Sequence, residues 1–85
     1  MDIKLPNWYD ELFEFECESK GSVLNFEVVV ENKKKVFNFY DISRFIQDAN
    51  DDICQQGYFK DDIAVIIESV TRKNIIKFLE TLSWD

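Results

Sequence analysis

The side chains dense enough in this chain to do chemistry are its carboxylates. Asp48, Asp51, Asp52, Asp61 and Asp62 are crowded into one stretch, and Glu14, Glu16, Glu18, Glu27 and Glu31 are spread through the N-terminal half. Carboxylates can hold a hard metal ion, work as a general acid and base pair, or recognise a cationic surface. The spacing Glu14, Glu16, Glu18 suits neither calcium nor magnesium well, because alternate strand residues stand about 7 Å apart. No EF-hand loop is present, nor any set of nitrogen and sulfur ligands. Hydrolysis of a glycoside needs a cleft with one acid held protonated, and a short chain with two glycines has little material to build one.

Other catalytic groups are scarce. The chain has no histidine, so the usual general base near neutral pH is missing. Neither Cys17 nor Cys54 has an activating neighbour in sequence. The chain therefore reads as a binding protein and not an enzyme, with no cofactor and no metal expected. Trp8, Tyr9, Tyr58 and Trp84 could stack on a ligand, but aromatic residues near chain ends more often close a small core; Trp84 is expected in the core and Trp8 to be freer.

Seventeen acids against ten bases leave a net charge of −7, which repels phosphate backbones and disfavours direct nucleic-acid binding. The same field attracts a basic protein partner and acts mainly on encounter rate and specificity. Acidity also keeps a small protein soluble, which is the plain alternative explanation.

The elements that must position these carboxylates follow from periodicity. Glu11 to Ser19 alternates Phe13, Phe15 and Cys17 against Glu14, Glu16 and Glu18, which predicts a half-buried strand. A turn at Lys20-Gly21 leads to a strand over Val23 to Glu31 with Leu24, Phe26, Val28 and Val30 on one face, and a turn at Lys33-Lys34 to a third over Lys35 to Tyr40 with Phe37 and Phe39 inward. These turns pair Phe13 with Val28, Phe15 with Phe26, Cys17 with Leu24, Val30 with Phe37 and Val28 with Phe39, so the apolar residues share a face.

Asp41 stands as an N-cap before Ile42, Phe45, Ile46, Ala49, Ile53 and Cys54 at helical spacing, and Gly57 fits just past the helix end. Ile63 to Ile67 is a β-branched run that predicts a strand covered on both faces. Thr71 or Ser69 can cap a last helix burying Ile75, Phe78, Leu79 and Leu82. The expected order is β-β-β-α-β-α in one α+β domain spanning 1–85: an antiparallel three-stranded meander, a fourth strand parallel to the third through a right-handed crossover, and two helices on the Phe-rich face. Nothing in Met1 to Tyr9 predicts an element beyond a short helix opened by Pro6.

Both cysteines are expected buried and free. With no signal-peptide run and no stretch of about 18 apolar residues for a membrane span, a cytoplasmic location is expected.

In this arrangement the uncovered sheet face presents Glu14, Glu16, Glu18, Glu27, Glu31, Asn38 and Tyr40. Glu14 would lie directly opposite Glu27, a like-charge pair that a partner's lysine or arginine would relieve. The second candidate surface is Asp48, Asp51 and Asp52 continuing to Asp61 and Asp62, which could occupy the phosphate-binding cleft of a nuclease. Each also has the ordinary reading of a solvated anionic face.

In size, charge and lack of catalytic groups the chain resembles the small acidic immunity proteins of bacterial competition systems. The resemblance is one of composition, and no residue is carried over from it. It implies an immunity or antitoxin-type protein that occludes the active site of a basic, nuclease-like toxin. Two alternatives accompany that expectation: a structural module that forms a homodimer through Val23, Val29, Val36 and the Ile63 to Ile67 strand, and a phage DNA mimic that blocks a host defence nuclease.

Overall fold

The computed structural model describes residues 2–83, which leaves Trp84 outside the described residues. The chain is an α+β domain with a four-stranded mixed sheet in spatial order β1-β2-β3-β4. The elements run β1 Ile3–Lys4, α1 Glu11–Lys20, β2 Ser22–Val30, β3 Lys33–Tyr40, α2 Ile42–Gln56, β4 Ala64–Ile66 and α3 Arg72–Leu79. β1, β2 and β3 are antiparallel neighbours, and β4 lies parallel to β3.

The alternating segment from Glu11 is a helix, not a strand. Its ends decide the matter: the Asp10 carboxylate accepts from Phe13 N at 3.0 Å, and Gly21, at φ 85°, turns its N–H onto Cys17 O at 2.8 Å. Between these caps stand good helix formers, Glu, Leu and Lys, and local capping outweighs a period of two that no paired strand supports. The place expected for that strand beside β2 is taken by β1, where Ile3 pairs with Val30 and Lys4 with Val29.

The β2–β3 hairpin turns at Glu31-Asn32, both with positive φ, two residues before the predicted turn. Val30 therefore pairs with Lys33, Val28 with Lys35 and Phe26 with Phe37. The shift is even, so Phe26, Val28, Val30, Phe37 and Phe39 keep their common face. A bulge at Asn25, φ 54°, breaks the alternation before Phe26. As a result Val23 is buried where Leu24 was expected, and Leu24 is exposed.

Phe26, Val28, Val30, Phe39, Val70, Ile75 and Leu79 are fully buried, joined by Tyr9, Cys17 and Val23. Phe78 of α3 packs edge-on against Phe37 and Phe39 at 5.5 and 5.9 Å between ring centroids. Thr71, not Ser69, caps α3. So α1 and α3 cover the Phe-rich face. α2 does not join them: its Phe45 packs at 5.6 Å on Tyr40, and Tyr40 follows Phe39 in the strand and so points to the opposite face. Phe59 closes on Phe45 from beyond the helix at 5.2 Å. None of α2's residues is buried, and Cys54, expected in the core, is exposed. Among the described residues no helix is long and apolar enough to cross a membrane.

Candidate protein-binding site

The two groups of predicted acidic residues fare differently. The five glutamates do not form one surface. Glu14, Glu16 and Glu18 ride on α1, Glu27 sits on β2 with Lys34 Nζ at 3.5 Å, and Glu31 occupies the hairpin turn. The cross-strand repulsion between Glu14 and Glu27 therefore does not arise. Glu14 instead has a folding role: its Oε2 accepts from Arg72 N, the first residue of α3, at 2.8 Å. Arg72 in turn donates from Nη2 to Tyr9 O at 2.8 Å and lies over the Tyr9 ring. One carboxylate thus ties α1 to the start of α3, where the helix dipole favours negative charge.

Three of the second group, Asp61, Asp48 and Asp52, are brought near Tyr40. Asp61 Oδ2 accepts from Tyr40 OH at 3.1 Å and from Asn38 Nδ2 at 2.9 Å, while Asp61 Oδ1 accepts from Ile63 N at 3.1 Å. Asn38 Oδ1 accepts from the N–H of the bulge residue Asn25 at 2.7 Å, so one polar chain links the bulge to the segment entering β4. Burial, the hydrogen bond to Asp61 and the charges of Asp61, Asp48 and Asp52 push the Tyr40 hydroxyl up to about 12. Asp48 pairs with Arg44 Nε at 3.0 Å one helical turn away. Asp51 and Asp62 remain exposed. Tyr40 is thus a buried anchor and not part of an open sheet face.

Cys17 offers no activated thiol in this setting. Burial pushes the Cys17 thiol up, away from the thiolate that a nucleophile needs. Among the described residues no three carboxylate or thiol side chains cluster as metal donors.

The feature that sequence reasoning missed is apolar. Because Phe45, Asp48 and Asp52 take the sheet side of α2, its isoleucines turn outward: Ile42, Ile46 and Ile53 are 58, 51 and 49% exposed. With Ala49 they recur at intervals of four, three and four along the helix, the spacing of a coiled-coil seam. Periodicity marks such a stripe as apolar without saying what covers it, so the signal for the seam was in the sequence and the signal for its exposure was not. A second set of exposed apolar residues, Trp8, Leu12, Phe13, Phe15 and Leu24, surrounds α1. Leu12, Phe13 and Phe15 point different ways around that helix and make no single stripe.

A small α+β domain with an exposed apolar helix seam is the class that fold and surface define. Comparison with protein-family models, with curated proteins and with solved structures returns no match.

Proposed function

We propose that this domain binds and neutralises a basic protein partner, docking the α2 seam of Ile42, Ile46, Ala49 and Ile53 against an apolar stripe on that partner. The observation that carries this reading is the seam's exposure on a helix with no buried residue. Burying an isoleucine completely is worth about 1.5–3 kcal/mol, so the exposed parts of three leave about 2–5 kcal/mol for an interface. The net charge of −7, to which the exposed Asp51 and Asp62 contribute, steers a cationic surface toward the domain and raises the encounter rate, while the isoleucines lengthen the residence time. An immunity or antitoxin-type inhibitor of a basic, nuclease-like toxin is the concrete form that size and charge favour. A second copy of this chain fits the seam less well, because each copy brings a net charge of −7.

The test is capture from lysate of the source with the wild-type domain and with Ile46→Asp, followed by assay of the captured protein's own activity. The expected result is a basic protein that elutes with salt, is inhibited by the wild type, and is retained at least about tenfold less by the variant. Equal retention by both would remove the seam from the interface. Capture of this chain alone would favour the homodimer.

A further inference from the structure

We propose that the free edge of β4 accepts an extended segment of a protein partner as a fifth strand, with apolar residues at alternate positions and Lys or Arg at its ends. β4 is the last strand of the sheet. Asn38 N donates to Ile63 O at 2.9 Å and Ile67 N to Tyr40 O at 2.8 Å, so residues 63, 65 and 67 turn their peptide groups toward β3. Alternation then turns those of Ala64 and Ile66 off the sheet. The Ala64 N–H bends back toward Asp61 O at 3.4 Å, which leaves Ala64 C=O and both peptide groups of Ile66 as the pairing groups of the edge.

The edge has side-chain features to match. On the Tyr40 side Ile66 is 44% exposed. On the opposite side a recess of about 260 Å³ opens between the end of β4 and α3, lined by Ile67, Glu68, Asn74, Lys77, Phe78 and Thr81. A cavity of about 150 Å³ already holds a benzene ring, so this one has room for a leucine or phenylalanine side chain. Main-chain bonds for affinity and a pocket for alternate side chains for specificity are the two components of strand addition.

Charge selects the occupant. If two copies paired their β4 edges antiparallel about Val65, Asp62 of each would face Glu68 of the other, and both are exposed. Like charges directly opposite destabilise a strand pair, and charged flanks are a common guard against self-pairing at an edge. A segment with cations at those two positions meets the same carboxylates favourably. The choice of a cationic segment rests on the reading of a basic partner; the edge itself does not, and it is separate from the α2 seam.

The probe is the end-blocked peptide Lys-Leu-Thr-Leu-Thr-Leu-Lys, titrated into isotope-labelled protein and followed by amide chemical shifts and hydrogen exchange. Its counterpart has Glu at both ends. The lysine peptide is expected to shift the amides of residues 64–68 together with Asn74, Phe78 and Thr81, and to slow exchange of the Ile66 N–H. Ile66→Pro removes that donor without touching a bond to β3, since proline is tolerated at an edge position whose N–H faces outward; it should weaken the peptide about tenfold or more. No shifts with the lysine peptide, equal binding of the glutamate peptide, or undiminished binding by a folded Ile66→Pro variant would each overturn the proposal. Should Ile66→Pro fail to fold, the two peptides and the Ile66 exchange rate on the wild type decide it. Because no natural partner is needed, failure here leaves the α2 reading to its own test.

Discussion

Replacing Glu14 by alanine should be costly, while the same change at Glu16 should not. Glu14 Oε2 is the acceptor for Arg72 N at 2.8 Å and is half-buried; Glu16 is exposed on the same helix. Removing a side-chain acceptor from a helix N-terminus costs about 0.5–2 kcal/mol, and a charged acceptor lies toward the upper end. Alanine returns a few tenths of a kcal/mol in helix propensity, so the net expectation is about 1.5 kcal/mol. A domain of this size shifts its Tm by about 4–8 °C per kcal/mol, which gives a fall of about 6–12 °C for Glu14→Ala. Glu16→Ala should stay within about 0.5 kcal/mol of wild type. Glu14→Gln keeps an acceptor and should recover part of the loss. Thermal and urea unfolding followed by far-ultraviolet circular dichroism measure all three. In a strand with period two Glu14 and Glu16 would be equivalent, so equal small effects of the two alanine variants would refute both the helix and its link to α3.

Three other perturbations have definite outcomes. Gly21→Ala should destabilise by about 2–4 kcal/mol, because an added Cβ would lie 2.7 Å from Asp41 Oδ2 at φ 85° and disturb the cap of α2, whereas Gly57→Ala meets nothing within 4 Å; that second variant should show only the left-handed backbone cost of about 1 kcal/mol in the same melts. Val23→Ala should cost about 1.5–2.5 kcal/mol and Leu24→Ala under about 1 kcal/mol, the reverse of what strict alternation demands, since the Asn25 bulge buries Val23 and exposes Leu24. The Tyr40 hydroxyl is held above its unfolded value of 10.0, at about 12, so the folded state keeps a proton that the unfolded state releases. Its contribution is whole below pH 10 and is lost as pH rises toward 12. Urea unfolding across that window should show a shallower decline for Tyr40→Phe than for wild type; identical slopes would contradict the shift.

Sequence periodicity located most of the sheet and both later helices, because the apolar residues of those elements recur at a spacing that the pattern records, whether they are buried as in α3 or exposed as in α2. β3 and its Phe37 and Phe39, α2 between Asp41 and Gly57, and α3 with Ile75 and Leu79 were all legible. The Glu11 segment was not, since a two-residue alternation also fits a helix that buries only Cys17, and the deciding groups, Asp10 and Gly21, flank the pattern. The Asn25 bulge is a local backbone choice stabilised from Asn38, thirteen residues away, which periodicity does not encode. Of the candidate site, the acidic side of α2 and its continuation to Asp61 and Asp62 could be read from sequence. Which face of α2 meets the sheet could not, because amphipathicity predicts that the isoleucine stripe is buried, and here Phe45, beside Asp48 and Asp52, takes that place.

Contact with a basic partner through α2 is tested most directly by hydrogen exchange of the domain free and in complex with its captured partner. Slowed exchange concentrated in residues 42–56 is the predicted result, weakened in Ile46→Asp. Protection confined to the β2–β3 hairpin around Glu27 and Glu31, with α2 exchanging as it does in the free domain, would contradict it.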